Sequence, residues 1–177
     1  MAYKFKLNPE SLKRKFSVYA VIASGKNDIK LYVGKTGDNR EGCNPLISRC
    51  GNHFSYNKIH SQVRNKISDH EERVYTYIFD HFDNYSEDES KRRISIDRIN
   101  EMERWLNEKI QKKLQGMVGC ELLNIFSGAG WVSKEIKQKR ETFRTLENEA
   151  KLNGIVNEVM SELEANQLIQ RTTLSRR

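Results

Sequence analysis

Arg49 and His53 stand four residues apart, a spacing that puts both side chains on one face of a helix. A guanidinium is a planar fork of donors that matches phosphate oxygens. An imidazole one turn away can donate to a phosphate or orient a hydroxyl. Two tyrosines precede this pair: Tyr19 in Phe16-Ser17-Val18-Tyr19-Ala20-Val21-Ile22, and Tyr32 in Ile29-Lys30-Leu31-Tyr32-Val33. Phosphodiester hydrolysis needs an activated water, charge stabilisation on the phosphate and help for the leaving oxygen. Taken singly, each residue also has an ordinary structural reading: a surface ion pair for Arg49, a core histidine for His53, strand aromatics with wet hydroxyls for the tyrosines.

The elements that must position these groups follow from local pattern. Both tyrosine runs alternate and are rich in β-branched and aromatic residues, and Ser24-Gly25-Lys26-Asn27-Asp28 between them is a turn, so a hairpin is expected over about 16–34. Facing strands bring the tyrosines close enough to share one site. A loop from Thr36 to Pro45 precedes a short helix over Leu46–Phe54 carrying Arg49 and His53. Ser55 is expected to cap a second helix with Ile59, Val63 and Ile67 at four-residue steps. Arg73 to Phe82 has the composition of a third strand. After an acidic loop, Asp83 to Ser90, a long helix is expected from about Ile96 to Leu114, ended by Gly116 and Gly119. Leu122 to Phe126 is a short apolar stretch followed by a turn at Gly128-Ala129-Gly130. From Ser133 to Ile169 the pattern is a helical arm with a break at Asn153-Gly154.

The chain has 177 residues, enough for one compact domain with an extension. Its net charge of +7 and pI near 9.3 favour a polyanionic partner such as nucleic acid. Despite a mean hydropathy of −0.78, periodic apolar segments run through most of the length, so disorder is expected only in the tail. Cys43, Cys50 and Cys120 make an odd set without a CxxC pair, which supports neither a disulfide framework nor a structural zinc site. No apolar stretch reaches membrane-spanning length and the N-terminus lacks a signal-peptide core, so a cytoplasmic location is expected.

The strings Val18-Tyr19-Ala20 and Leu31-Tyr32-Val33-Gly34, followed in order by Arg49, His53, Glu103 and Asn124, resemble the GIY-YIG nuclease family over roughly residues 16–126. The first motif departs from its namesake, with Ser17 and Val18 in place of glycine and isoleucine; the second differs by valine for isoleucine. The resemblance implies an α/β (α+β) fold with a small three-stranded antiparallel sheet flanked by helices. The division expected is a basic N-terminal helical segment (1–15), the nuclease-like domain (16–126), the helical arm (133–170) and a disordered tail (171–177). It also implies a metal-dependent DNA endonuclease, Arg49 on the scissile phosphate, Tyr19 beside the attacking water and Tyr32 helping to position it. Among Glu101, Glu103 and Glu108, the family's spacing of glutamate to an apolar residue three positions on selects Glu103, with Leu106, as ligand for Mg2+ or another divalent cation such as Mn2+. Glu101 is the second choice. Lys35 matches a lysine that some members carry near the tyrosines, where its charge would stabilise a phenolate; an exposed lysine after a strand is the alternative. Asn124 matches a buttressing asparagine, at a gap of 21 residues from Glu103 that is longer than usual. Tyr56, His60 and Arg64 would extend the DNA-facing surface along the second helix. A compact, stand-alone enzyme of this kind would resemble the family's restriction-type members more than its repair or homing members. A non-catalytic nucleic-acid-binding module on the same scaffold is the rival, and the apolar stripe of the arm suggests a homodimer.

Overall fold

The computed structural model describes residues 2–37, 43–57, 59, 61–126 and 133–174, with side chains as far as 166. The strands are β1 (Lys15–Ser24), β2 (Ile29–Lys35), β3 (Val74–Asn84) and β4 (Cys120–Leu122), and the helices are α1 (Leu46–Phe54), α2 (Glu89–Leu114), α3 (Lys134–Glu141) and α4 (Leu146–Leu174). The expected α/β class holds, but the sheet is four-stranded and mixed, in the order β3-β1-β2-β4, rather than three-stranded and antiparallel. β4 accounts for the difference. Gly116 and Gly119, both at positive φ, turn the chain out of α2 so that Cys120–Leu122 runs parallel to β2, opposite Ile29–Leu31.

β1 is the central strand, and its unbroken apolar run fits burial on both faces. On one face Val18, Ala20, Ile22, Leu31 and Val33 pack beneath Ile99, Met102, Leu106 and Ile110 of α2 and Leu152, Ile155, Val159 and Leu163 of α4. On the other face Tyr19, Val21, Tyr32, Tyr75, Tyr77 and Phe79 meet Leu46 and Cys50 of α1. The antiparallel register sets Tyr19 opposite Gly34 on one side and Phe79 on the other, and Val21 opposite Tyr32 and Tyr77. The two tyrosines therefore share a face as diagonal neighbours.

α1 spans the expected residues. The helix expected after Ser55 does not form: Ser55 instead closes α1, and among the described residues two short 3-10 turns, Arg64–Lys66 and His70–Glu72, precede β3. Val63 and Ile67 are buried as the pattern requires, but Ile59 is 74% exposed. The Ser61 hydroxyl, fully buried, bonds to the carbonyls of Ser55 and Asn57 and so holds a turn where a helix would need other partners. α2 starts seven residues early, because the Asp88 carboxylate caps the amides of Ser90 and Lys91 ahead of any apolar periodicity. At the N-terminus the expected helix shrinks to one 3-10 turn, Pro9–Leu12, capped by Asn8.

The C-terminal segment is not an arm. It is two helices separated at 142–145 rather than at Asn153-Gly154, and the apolar stripe of α4 is covered by the protein's own core. That stripe therefore gives no reason to expect a dimer. α4 also runs to Leu174, into the tail expected to be disordered. Among the described residues no helix is long and apolar enough to cross a membrane.

Candidate active site

Tyr19, His53 and Tyr77 form a buried hydrogen-bonded row where α1 crosses the aromatic face of the sheet. The Tyr19 hydroxyl lies 3.0 Å from His53 Nε2, and His53 Nδ1 lies 3.0 Å from the Tyr77 hydroxyl. Tyr77 in turn interacts through its hydroxyl with the Cys50 thiol. If that hydroxyl donates to Cys50, it must accept from His53 Nδ1–H, which leaves Nε2 to accept the Tyr19 proton. Tyr32 approaches edge-on, its ring 5.2 Å from the imidazole.

Gly34 is explained by this packing. A Cβ there would lie 2.5 Å from Tyr19 Cζ and from its hydroxyl oxygen, because the ring lies across the glycine opposite it. The residue makes room for the tyrosine.

The electrostatics keep the row neutral. Burial, and then the neighbouring Arg49 guanidinium, push the His53 pKa down to about 4. Burial pushes Tyr19 well above an ordinary phenol, against the opposing pull of Arg49, which also hydrogen-bonds it. The Arg49 charge thus reaches both Tyr19 and His53.

Lys35 and Glu103 sit at the same end of β2. Lys35 Nζ is 3.1 Å from Glu103 Oε2, with both side chains 14% exposed. Glu103 is close enough to be felt at Tyr19. Glu101, the alternative ligand, faces elsewhere: it is 2% exposed and bonded at 2.7 Å to Arg144 Nε, within a cluster that includes Arg104 and Glu108. Its carboxylate fastens α2 to the chain between α3 and α4. Glu108 belongs to that same cluster.

Asn124 acts as an added rung on the sheet. Its Oδ1 accepts from Val33 N at 3.0 Å and its Nδ2 donates to Val33 O at 2.7 Å. The fully buried Asn107 donates to Asn124 O and accepts from Phe126 N, pinning the segment from the α2 side. Asn107 lies four residues beyond Glu103 on α2, so the two share a helix face.

Tyr56 and Arg64 flank the site on the turn after α1, with Arg64 Cζ 4.6 Å from the centre of the Tyr56 ring. His60 lies outside the described residues. Three contributors escape a reading of the sequence: Tyr77, Asn107 and Lys66, whose ammonium is 6.0 Å from the Tyr32 ring centre and 3.1 Å from Leu123 O. Tyr77 was accessible through period-two alternation in Tyr75-Tyr77-Phe79, which places it on the face of Tyr19. Asn107 was accessible as a polar residue bordering an apolar stripe.

A separate trio has the residue types of a hydrolytic triad. Ser17 Oγ is 2.7 Å from His81 Nδ1, and His81 Nε2 is 3.2 Å from Glu10 Oε2. Ser17 lies at the bulge between β1 and β3, and through His81 and Glu10 the trio ties the N-terminal turn to the sheet.

Comparison with protein-family models, with curated proteins and with solved structures found no match.

Proposed function

We propose that this protein is a metal-dependent DNA endonuclease of the GIY-YIG type. One observation carries the reading: Tyr19 and His53, in hydrogen-bond contact, lie beside Arg49 with the Lys35–Glu103 pair close by. Four elements contribute these groups, and a fold has no structural need to gather a phenol, an imidazole, a guanidinium and a carboxylate in one place.

The residues fit a divalent cation of the magnesium type. Among the described residues no group of three or more His, Cys, Asp or Glu is assembled for a metal. A lone carboxylate suits an ion that retains waters and takes further ligands from a phosphate. Glu103 would hold it, and Lys35 would shift toward the phosphate as Glu103 turned to the metal. Bound there, the ion supplies charge neutralisation on the phosphate and a more acidic water.

The protein's own groups divide the remaining work. Arg49 takes the non-bridging phosphate oxygens in its fork and offsets the charge that builds as water adds to phosphorus. The Tyr19 oxygen accepts a proton from the attacking water as its own proton passes to His53 Nε2. Water oxygen then bonds to phosphorus, the bond to the leaving sugar oxygen breaks, and that oxygen takes a proton from solvent. Burial keeps the His53 lone pair available, because an imidazolium could not accept. Tyr32 fixes the ring edge-on, and Asn124 holds the β2 backbone between Tyr32 and Gly34.

Incubation with supercoiled plasmid tests this directly. Wild-type protein is expected to nick or cut in Mg2+ and not in EDTA, and Arg49→Ala to lower the rate on the order of 100-fold or more. Whether the biological role is restriction, repair or homing is read from which DNAs are cut. The Lys35–Glu103 contact favours one rival, a binding module in which the lysine permanently neutralises the carboxylate. Salt-sensitive DNA binding without cleavage, unchanged by Mg2+, is the outcome for that rival.

A further inference from the structure

Tyr56 is 81% exposed, yet it is a positioned ring. It follows α1 directly, three residues after His53, on the turn that Ser61 closes through its bonds to Ser55 and Asn57. Val63 and Ile67, each 1% exposed, anchor the same segment in a small apolar cluster with Ala23, Phe54 and Tyr75. The Arg64 guanidinium, itself held by Asn65 Oδ1 at 3.3 Å, lies against the Tyr56 ring. Two residues on, Lys66 sits over Tyr32 and reaches across to Leu123 O, so this turn forms one wall of the tyrosine–histidine site. A wall that presents an exposed aromatic ring against an arginine, with a lysine two residues further along, has the composition of a nucleic-acid stacking platform: π-face for a base, charge for the backbone.

From this arrangement we propose that Tyr56 stacks on an unpaired base next to the phosphate held by Arg49, with Arg64 and Lys66 on the flanking backbone. The substrate class is then DNA with single-stranded character at the cut, such as a flap, a gap or an open strand. A base inside an uninterrupted duplex has both faces covered by its neighbours and cannot meet the ring without being unstacked. Ile59, 74% exposed, adds apolar surface to the same turn. This inference rests on the nucleic-acid reading of the site but not on cleavage.

The test is equilibrium binding in EDTA at fixed salt, using a short single-stranded oligodeoxynucleotide carrying 2-aminopurine and the matching blunt duplex. Wild type is expected to change the 2-aminopurine emission on binding. Tyr56→Ala and Tyr56→Leu are expected to remove that change and weaken single-strand binding about tenfold or more, while Tyr56→Trp retains both. Duplex affinity should move less than about twofold in every variant. Equal thermal midpoints show that the variants are folded, as the exposure of Tyr56 leads one to expect. Equal weakening for strand and duplex, an emission change that survives Tyr56→Ala, or no nucleic-acid binding at all would overturn the proposal. Cleavage is scored separately with Mg2+: stacking without cleavage contradicts only the nuclease, and Tyr56-independent cleavage of continuous duplex contradicts only the stacking.

Discussion

His53 makes the site sensitive to acid in a way that can be measured without a substrate. Its folded-state pKa of about 4 lies below the ordinary 6.5, since burial and Arg49 both disfavour the cation. Its contribution to stability is complete above pH 6.5 and is lost as pH falls toward 4, by up to about 3 kcal/mol. His53→Gln, which keeps a side chain able to bond both tyrosines, is expected to flatten that part of the pH–stability curve. Urea midpoints of both proteins at pH 7 and pH 4.5 check this. His81 is also pulled down, first by burial and then by Lys15, so the difference between the two proteins isolates His53. Identical slopes would contradict the neutral, buried imidazole. Tyr19, Tyr32, Arg49 and His53 were legible from the chain alone, because strand alternation and helix spacing determine which face each occupies. The spacing to Leu106 favoured Glu103 over Glu101 without showing what each carboxylate meets. Their partners differ, Arg144 for Glu101 and Lys35 for Glu103.

Among the elements, β2 depends on an asparagine bracket. Asn124→Ala removes both bonds to the Val33 backbone, and the expected loss is about 1–3 kcal/mol with a lowered cleavage rate, since Val33 lies between Tyr32 and Gly34. Thermal unfolding and plasmid cleavage on the same preparation check both parts; a stable protein with unchanged activity would deny Asn124 the role. β1 and β3 were legible from their β-branched and aromatic composition between turn residues, and β2 and α1 from a period that matches their buried side. β4 was not, since three residues between glycines and a turn carry no period, and its pairing depends on where α2 delivers the chain. The turn after α1 misled for a related reason. Ile59, Val63 and Ile67 have helical spacing, but side-chain bonds from Ser61 compete for the carbonyls there.

At the scale of the molecule, the site stands on a sheet sandwiched between α1 and the α2–α4 layer. An amphipathic stripe says that a helix has a buried side and not what buries it, which is why α4 read as an arm. Its Leu152, Ile155, Val159 and Leu163 complete the core beneath β1. A chain ending at residue 145 would expose that sheet face, so it is expected to lose its cooperative melt by circular dichroism rather than leave an intact domain. A cooperative melt near that of the full chain would show that α4 is dispensable. The proposed activity needs one carboxylate above all: Glu103 would make phosphodiester cleavage depend on a divalent cation. The most direct measurement compares wild type with Glu103→Ala on supercoiled plasmid across a Mg2+ titration, with thermal midpoints to show both are folded. Metal-dependent nicking by wild type and none by Glu103→Ala at any Mg2+ concentration is the expected result. Equal cleavage by the two proteins would contradict it.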